Sequence, residues 1–150
     1  MKKRILIEGN EFVLDKNGDY IGELIVWRRK TKIFLDLGEN TDDVMDKASE
    51  KIKWLNNNRK SIINAFVEEN DHLVDIVNNM IKNGDFKADK QISMDDFKSS
   101  LFVNNVCIYI RGRNSEFTLD LDAHPDYLFG HLACMEINSQ YEVEFGGLNG

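Results

Sequence analysis

Apolar residues change their spacing twice along this chain, and that change constrains the fold more than any other feature. Up to Leu37 and again from Val103 they fall in short strand-like runs bounded by turn residues, with Ile33, Leu35 and Leu37 alternating, whereas between Val44 and Leu101 they recur at three- and four-residue intervals. Strands, then helices, then strands make an α+β domain rather than a repeating β-α-β plan, with the helices packed on one face of a largely antiparallel sheet. No internal repeat, linker or low-complexity tract interrupts the order, so residues 1–150 are read as a single domain. On general scaling a chain of this length buries roughly 70% of its unfolded surface without help from metal or disulfide.

In EFVLDKNGDYIGELIVW two apolar runs flank Asn17-Gly18, a pair suited to a two-residue type I′ turn because both positions need φ > 0. The turn RRKT after Trp27 then leads into KIFLDLG, where Ile33, Leu35 and Leu37 alternate, so the N-terminal third reads as a three-strand meander. Thr41 is placed to cap a helix carrying Val44, Ala48, Ile52 and Leu55, with Asp42 and Asp43 at the positive end of its dipole. Asn56-Asn57-Asn58 ends that helix. A second helix runs from Arg59 to about Lys82 along the stripe Ile62, Phe66, Leu73, Val77 and Met80. A short third is capped at Ser93, with Asp96 where a capping box has Glu or Gln. Four strands follow: VNNVCIYIRG, EFTLDLD, HLACMEI and YEVEFGG.

The formal net charge of −7 opposes general affinity for phosphate backbones, which rests on Lys and Arg, so the sequence favours a basic protein partner and no nucleic acid. No apolar run approaches the roughly 20 residues that span a bilayer, and MKKRILIEGNEF has too few apolar residues for a secretory h-region. The expectation is a cytoplasmic protein that does not enter membranes. Cys107 and Cys134, far apart and without a CxxC, read as buried packing thiols.

Several stretches could carry chemistry. Asp15-Lys-Asn-Gly-Asp19 opens like a calcium loop, but the sixth and twelfth positions would be Tyr20 and Val26 instead of Gly and a bidentate Glu. Glu69 and His72 have the Glu-x-x-His spacing of carboxylate-bridged metal sites, yet only one copy exists and such sites need two. His124, Asp126 and His131, with Asp122 nearby, form the densest group of potential ligands. They support the alternative of a metal-dependent hydrolase, while a tight turn around the only proline accounts for them equally well. Trp27-Arg-Arg-Lys-Thr-Lys32 joins a ring to four cations and suits protein contact. The residues assigned to binding are therefore Trp27, Arg28 and Arg29 in the basic turn and Asp122, Asp126 and Tyr127 in the acidic loop. No Walker loop, GxGxxG, GxSxG or HExxH is present, and no cofactor, resident metal or catalytic constellation is assigned.

The tail EFTLDLDAHPDYLFGHLACMEI together with the late Gly146-Gly147 resembles a bacterial family of unknown function, numbered 2262. Phe117, Asp120, Phe129, Gly130 and His131 carry the likeness. The resemblance implies a small acidic cytoplasmic protein without established catalytic residues, of a kind that includes immunity proteins beside bacterial toxins. It agrees with the residue-level reading of a protein-binding module, an immunity-type or regulatory partner of a basic toxin or enzyme. Within DYLFGHL the expectation is a structural hinge, with Phe129 anchored in the core, Gly130 taking a backbone geometry closed to other residues and His131 hydrogen-bonded to a backbone carbonyl.

Overall fold

The computed structural model describes residues 3–38, 43–111 and 114–150. Eight strands form one sheet in sequential order. They are β1 (Arg4–Ile7), β2 (Asn10–Leu14), β3 (Tyr20–Val26), β4 (Arg29–Asp36), β5 (Leu101–Arg111), β6 (Asn114–Ala123), β7 (Leu132–Ile137) and β8 (Val143–Asn149). Neighbours run antiparallel except β4 and β5, which are parallel. Parallel neighbours need a long crossover, and here it consists of α1 (Val44–Asn57), α2 (Arg59–Asn70), α3 (His72–Lys82) and α4 (Met94–Ser100). The α+β class and the helical insertion match the sequence pattern.

The helices cover one face only. Val44, Ala48, Ile52 and Leu55 turn α1 onto β1, β3 and β5, and Ile62, Ile63 and Phe66 turn α2 onto β7 and β8. The strands answer with period two: Ile33 and Leu35 on β4, Val106, Ile108 and Ile110 on β5, and Phe117, Leu119 and Leu121 on β6 are all buried. Val103 is also buried, three positions before Val106 instead of two, because a bulge at Asn104 resets the alternation. A second bulge at Gly146, between the pairs Met135–Phe145 and Cys134–Gly147, is where the closing Gly-Gly falls. Gly147 there has φ +121°. The opposite face carries Glu23, Lys32, Glu116 and Glu136, all exposed, and none of the four described helices lies on it.

The N-terminal meander has four strands, not three. Ile5-Leu6-Ile7 lacks clean alternation, but it pairs with β2 through Glu8 and Gly9, both at positive φ. Asn17-Gly18 does not form a two-residue turn. Asp15 to Asp19 enclose a three-residue loop in which only Gly18 is left-handed, and the Asp15 carboxylate accepts from the Asn17 and Asp19 amides, each at 2.9 Å. The next turn is Trp27-Arg28 rather than RRKT, so Arg29 to Thr31 belong to β4. The expected helix from Arg59 to Lys82 breaks at Asp71, where the buried Asn70 turns its side-chain amide back to the Phe66 carbonyl at 2.9 Å. The cap at Thr41 lies outside the described residues. The capping box of α4 forms as expected: Ser93 Oγ accepts from the Asp96 amide at 3.0 Å, and Asp96 accepts from the Ser93 amide at 2.9 Å. Among the described residues no helix is long and apolar enough to cross a membrane.

Candidate functional site: an acidic corner of the open sheet face

Outward positions at one end of β6, β7 and β8 are glutamates. Register sets Glu136 between Thr118 and Glu144, and places Glu116 one outward position before Thr118 on β6. With Glu142 from the β7–β8 loop they line an open cleft of about 520 Å³. Glu136 and Glu144 face each other directly, an arrangement that costs a sheet stability. None of the four forms an ion pair with a cation among the described residues, where the salt bridges are Arg4–Glu11 and Arg111–Asp36. Gly146 leaves room for this crowding, since a Cβ there would stand 3.2 Å from the Glu136 carboxyl carbon.

The loop that brings Glu142 to the corner is fixed rather than loose. Asn138 accepts from the amides of Gln140 and Glu142 at 3.0 and 2.9 Å and donates to the Glu142 carboxylate at 2.9 Å. Tyr141, at φ +62°, stacks on Trp54 with ring centroids 4.8 Å apart. Its hydroxyl donates to Glu50 at 3.0 Å, and the buried Lys51 sets its ammonium 4.1 Å from the ring centre. Burial, followed by Glu50, pushes the Tyr141 hydroxyl up to about 12, so it stays protonated and keeps donating. These contacts tie the corner to α1 and reduce the ordering cost of using it.

The residues assigned to binding from sequence gather at the opposite end of the sheet, and most act in folding. Trp27 and Arg28 occupy left-handed backbone at φ +49° and +69°. Asn56 holds that turn by accepting from the Trp27 amide at 2.8 Å and donating to the Ile25 carbonyl at 3.0 Å. The Trp27 indole is half-buried and donates to the Leu55 carbonyl at 2.9 Å, so it is an anchor of the hairpin instead of a free contact ring. Arg28 is exposed, and the Arg29 guanidinium lies 3.7 Å over the Phe102 ring, whose cross-strand partner is Asp122. Asp122 accepts from the Ala123 amide at 2.7 Å, and Asp126 staples the following turn by accepting from the Gly130 amide at 2.9 Å. Tyr127, assigned to binding from sequence, is only 7% exposed, and its ring packs near Phe86 and Phe97.

The hinge forms, with its roles redistributed. Tyr127 and Leu128 are the buried anchors, while Phe129 is half-buried at φ +56° against Phe86. Gly130 takes φ +81°, the geometry expected of it. His131 is exposed; its amide bonds to the Leu128 carbonyl at 3.0 Å, but its imidazole does not make the expected carbonyl hydrogen bond. His131→Ala is therefore expected to move stability by less than about 0.5 kcal/mol. Urea titration checks this, and a loss of 1 kcal/mol or more would restore the structural role.

His124 and Asp126 are exposed as well, and no group of three or more His, Cys, Asp or Glu among the described residues is placed to hold a metal ion. Cys107 and Cys134 are free and half-buried on the open face, not in the core, and burial raises both thiols. The glutamate corner escaped the sequence reading because no motif spacing links its members and only strand pairing sets them side by side. The available signal was the carboxylate at alternate positions of EFTLDLD, MEI and EVE. Compared with known proteins, no family model, curated protein or solved structure matches this chain.

Proposed function

We propose that the protein is a binding module that takes a basic protein at the glutamate corner, as an immunity-type or regulatory partner. The observation that carries this reading is the set Glu116, Glu136, Glu142 and Glu144, held on an ordered loop and an open sheet face without a compensating cation among the described residues. The fold gains nothing from the opposed Glu136–Glu144 pair, whereas a partner presenting Arg or Lys gains attraction and orientation from it. The net charge of −7 adds long-range steering toward a cationic surface.

The test is capture from a lysate of the cell that encodes the protein, followed by titration of the purified partner. Reversing Glu116, Glu136 and Glu144 to Lys is expected to weaken binding by several kcal/mol, on the order of a hundredfold in Kd or more. Wild-type affinity should fall as salt rises. An acidic partner, a nucleic acid, or a partner whose affinity ignores the three reversals would overturn the proposal.

A further inference from the structure

The other end of the open face has a different composition. Register aligns Glu23, Lys32, Asn105, Asp120 and Cys134 in one row across β3 to β7. The adjacent row holds Ile25 and Lys30 on one side and Phe102 and Asp122 on the other. Two lysines on β4 thus stand one strand to one side of β5, and two aspartates on β6 stand one strand to the other. Phe34, Phe102 and Cys107 lie between or beside them, all half-buried on a face that none of the four described helices covers. A solvated sheet face alternates to polar residues, so an apolar centre flanked by charges of both signs has the anatomy of a contact surface.

We infer that this surface binds a second copy of the same chain, through an isologous contact about a two-fold axis running along β5. Such an axis, lying between two sheets stacked about 10 Å apart, brings β4 of each copy over β6 of the other and leaves the rows in step. Lys32 then faces Asp120 and Lys30 faces Asp122, twice over, while Cys107 of each copy lies near the axis beside Phe34. No other protein is needed to supply the complementary charge. The contact goes beyond the proposed function: its Lys–Asp pairs lie toward the Asp122 and Leu132 ends of β6 and β7, while the Phe34–Cys107 row continues through Thr118 to Glu136, so the two surfaces adjoin.

The symmetry gives a specific test by light scattering on the full chain. Wild-type protein should approach twice the monomer mass as its concentration rises. Lys30→Glu with Lys32→Glu sets acid on acid and should remain monomeric, as should Asp120→Lys with Asp122→Lys, which sets base on base. Mixing the two variants in equal amounts makes each of the reversed Lys–Asp sites complementary again and should restore the doubled mass. A wild-type monomer at every concentration overturns the inference, as do variants that each dimerise alone or folded variants that fail to pair on mixing. Should a reversal variant not fold, the alkylation rate of Cys107 by N-ethylmaleimide in Cys134→Ser protein decides. It is expected to fall as protein concentration rises, and a concentration-independent rate overturns the inference.

Discussion

Phe66→Ala is expected to destabilise the protein by about 3–5 kcal/mol, the range for deleting a buried ring that neighbours cannot replace. Phe66 is 0% exposed on α2, with its ring centroid 6.2 Å from that of Phe97 on α4 and 5.5 Å from that of Phe145 on β8. One side chain therefore joins two helices of the crossover to an edge strand of the sheet. Helix backbones on both sides limit collapse into the space left behind, so the cavity penalty adds to the lost transfer energy. Because total stability for a domain is about 5–15 kcal/mol, the midpoint in urea should fall by a large fraction of its value. A loss below 1 kcal/mol would mean that α2 does not pack as described. The glutamate corner stands on the outward side of the same strands, so partner binding should persist wherever the variant is folded.

The parts legible in the sequence were those specified locally. Ile33, Leu35 and Leu37 alternate and are buried, Val44 through Leu55 recur at helical spacing and are buried, and Ser93 with Asp96 makes the cap that the spacing announced. What failed depended on the chain's wider surroundings. Asn-Gly favours a type I′ turn by propensity, but the Asp15 carboxylate gathers two amides and settles a longer loop with only Gly18 left-handed. Trp27 and Arg28 have no preference for positive φ, a conformation that costs of order 1–3 kcal/mol for such residues. They adopt it because Asn56, on another element, grips the turn from both sides.

The same distinction separates the residues proposed from sequence from those of the site. His124, Asp126 and His131 drew notice because they are close in the chain, and closeness in a tight turn served the turn. Asp126 is committed to the Gly130 amide, and His131 points no ring nitrogen at the carbonyl expected for it. Glu116, Glu136 and Glu144 are brought together by strand register, which is a property of how neighbouring strands pair and not of spacing along any one of them. Each glutamate taken alone reads as an ordinary solvated position, and only with the strands laid side by side do they form a corner.

Gly22→Ala is expected to cost about 2–3 kcal/mol, against the usual sign of that exchange. In an ordinary strand interior alanine is the better residue, by roughly 0.5–1 kcal/mol, because glycine loses more backbone freedom on folding. At Gly22, however, a Cβ would stand 2.6 to 2.8 Å from three carbons of the Phe12 ring, closer than such contacts occur. Phe12 is 0% exposed and cannot swing into solvent, so the clash must be absorbed by a strained rotamer or by separating β2 from β3. The absent side chain on β3 is what allows the ring on β2 to lie flat across it. Truncating that ring should therefore relieve the inserted methyl. In Phe12→Leu protein, Gly22→Ala should cost at least about 1 kcal/mol less than it does in the wild type, a coupling typical of residues in contact. Denaturation of the wild type, both single variants and the double variant measures it; strictly additive costs would show that Gly22 is not there to seat Phe12.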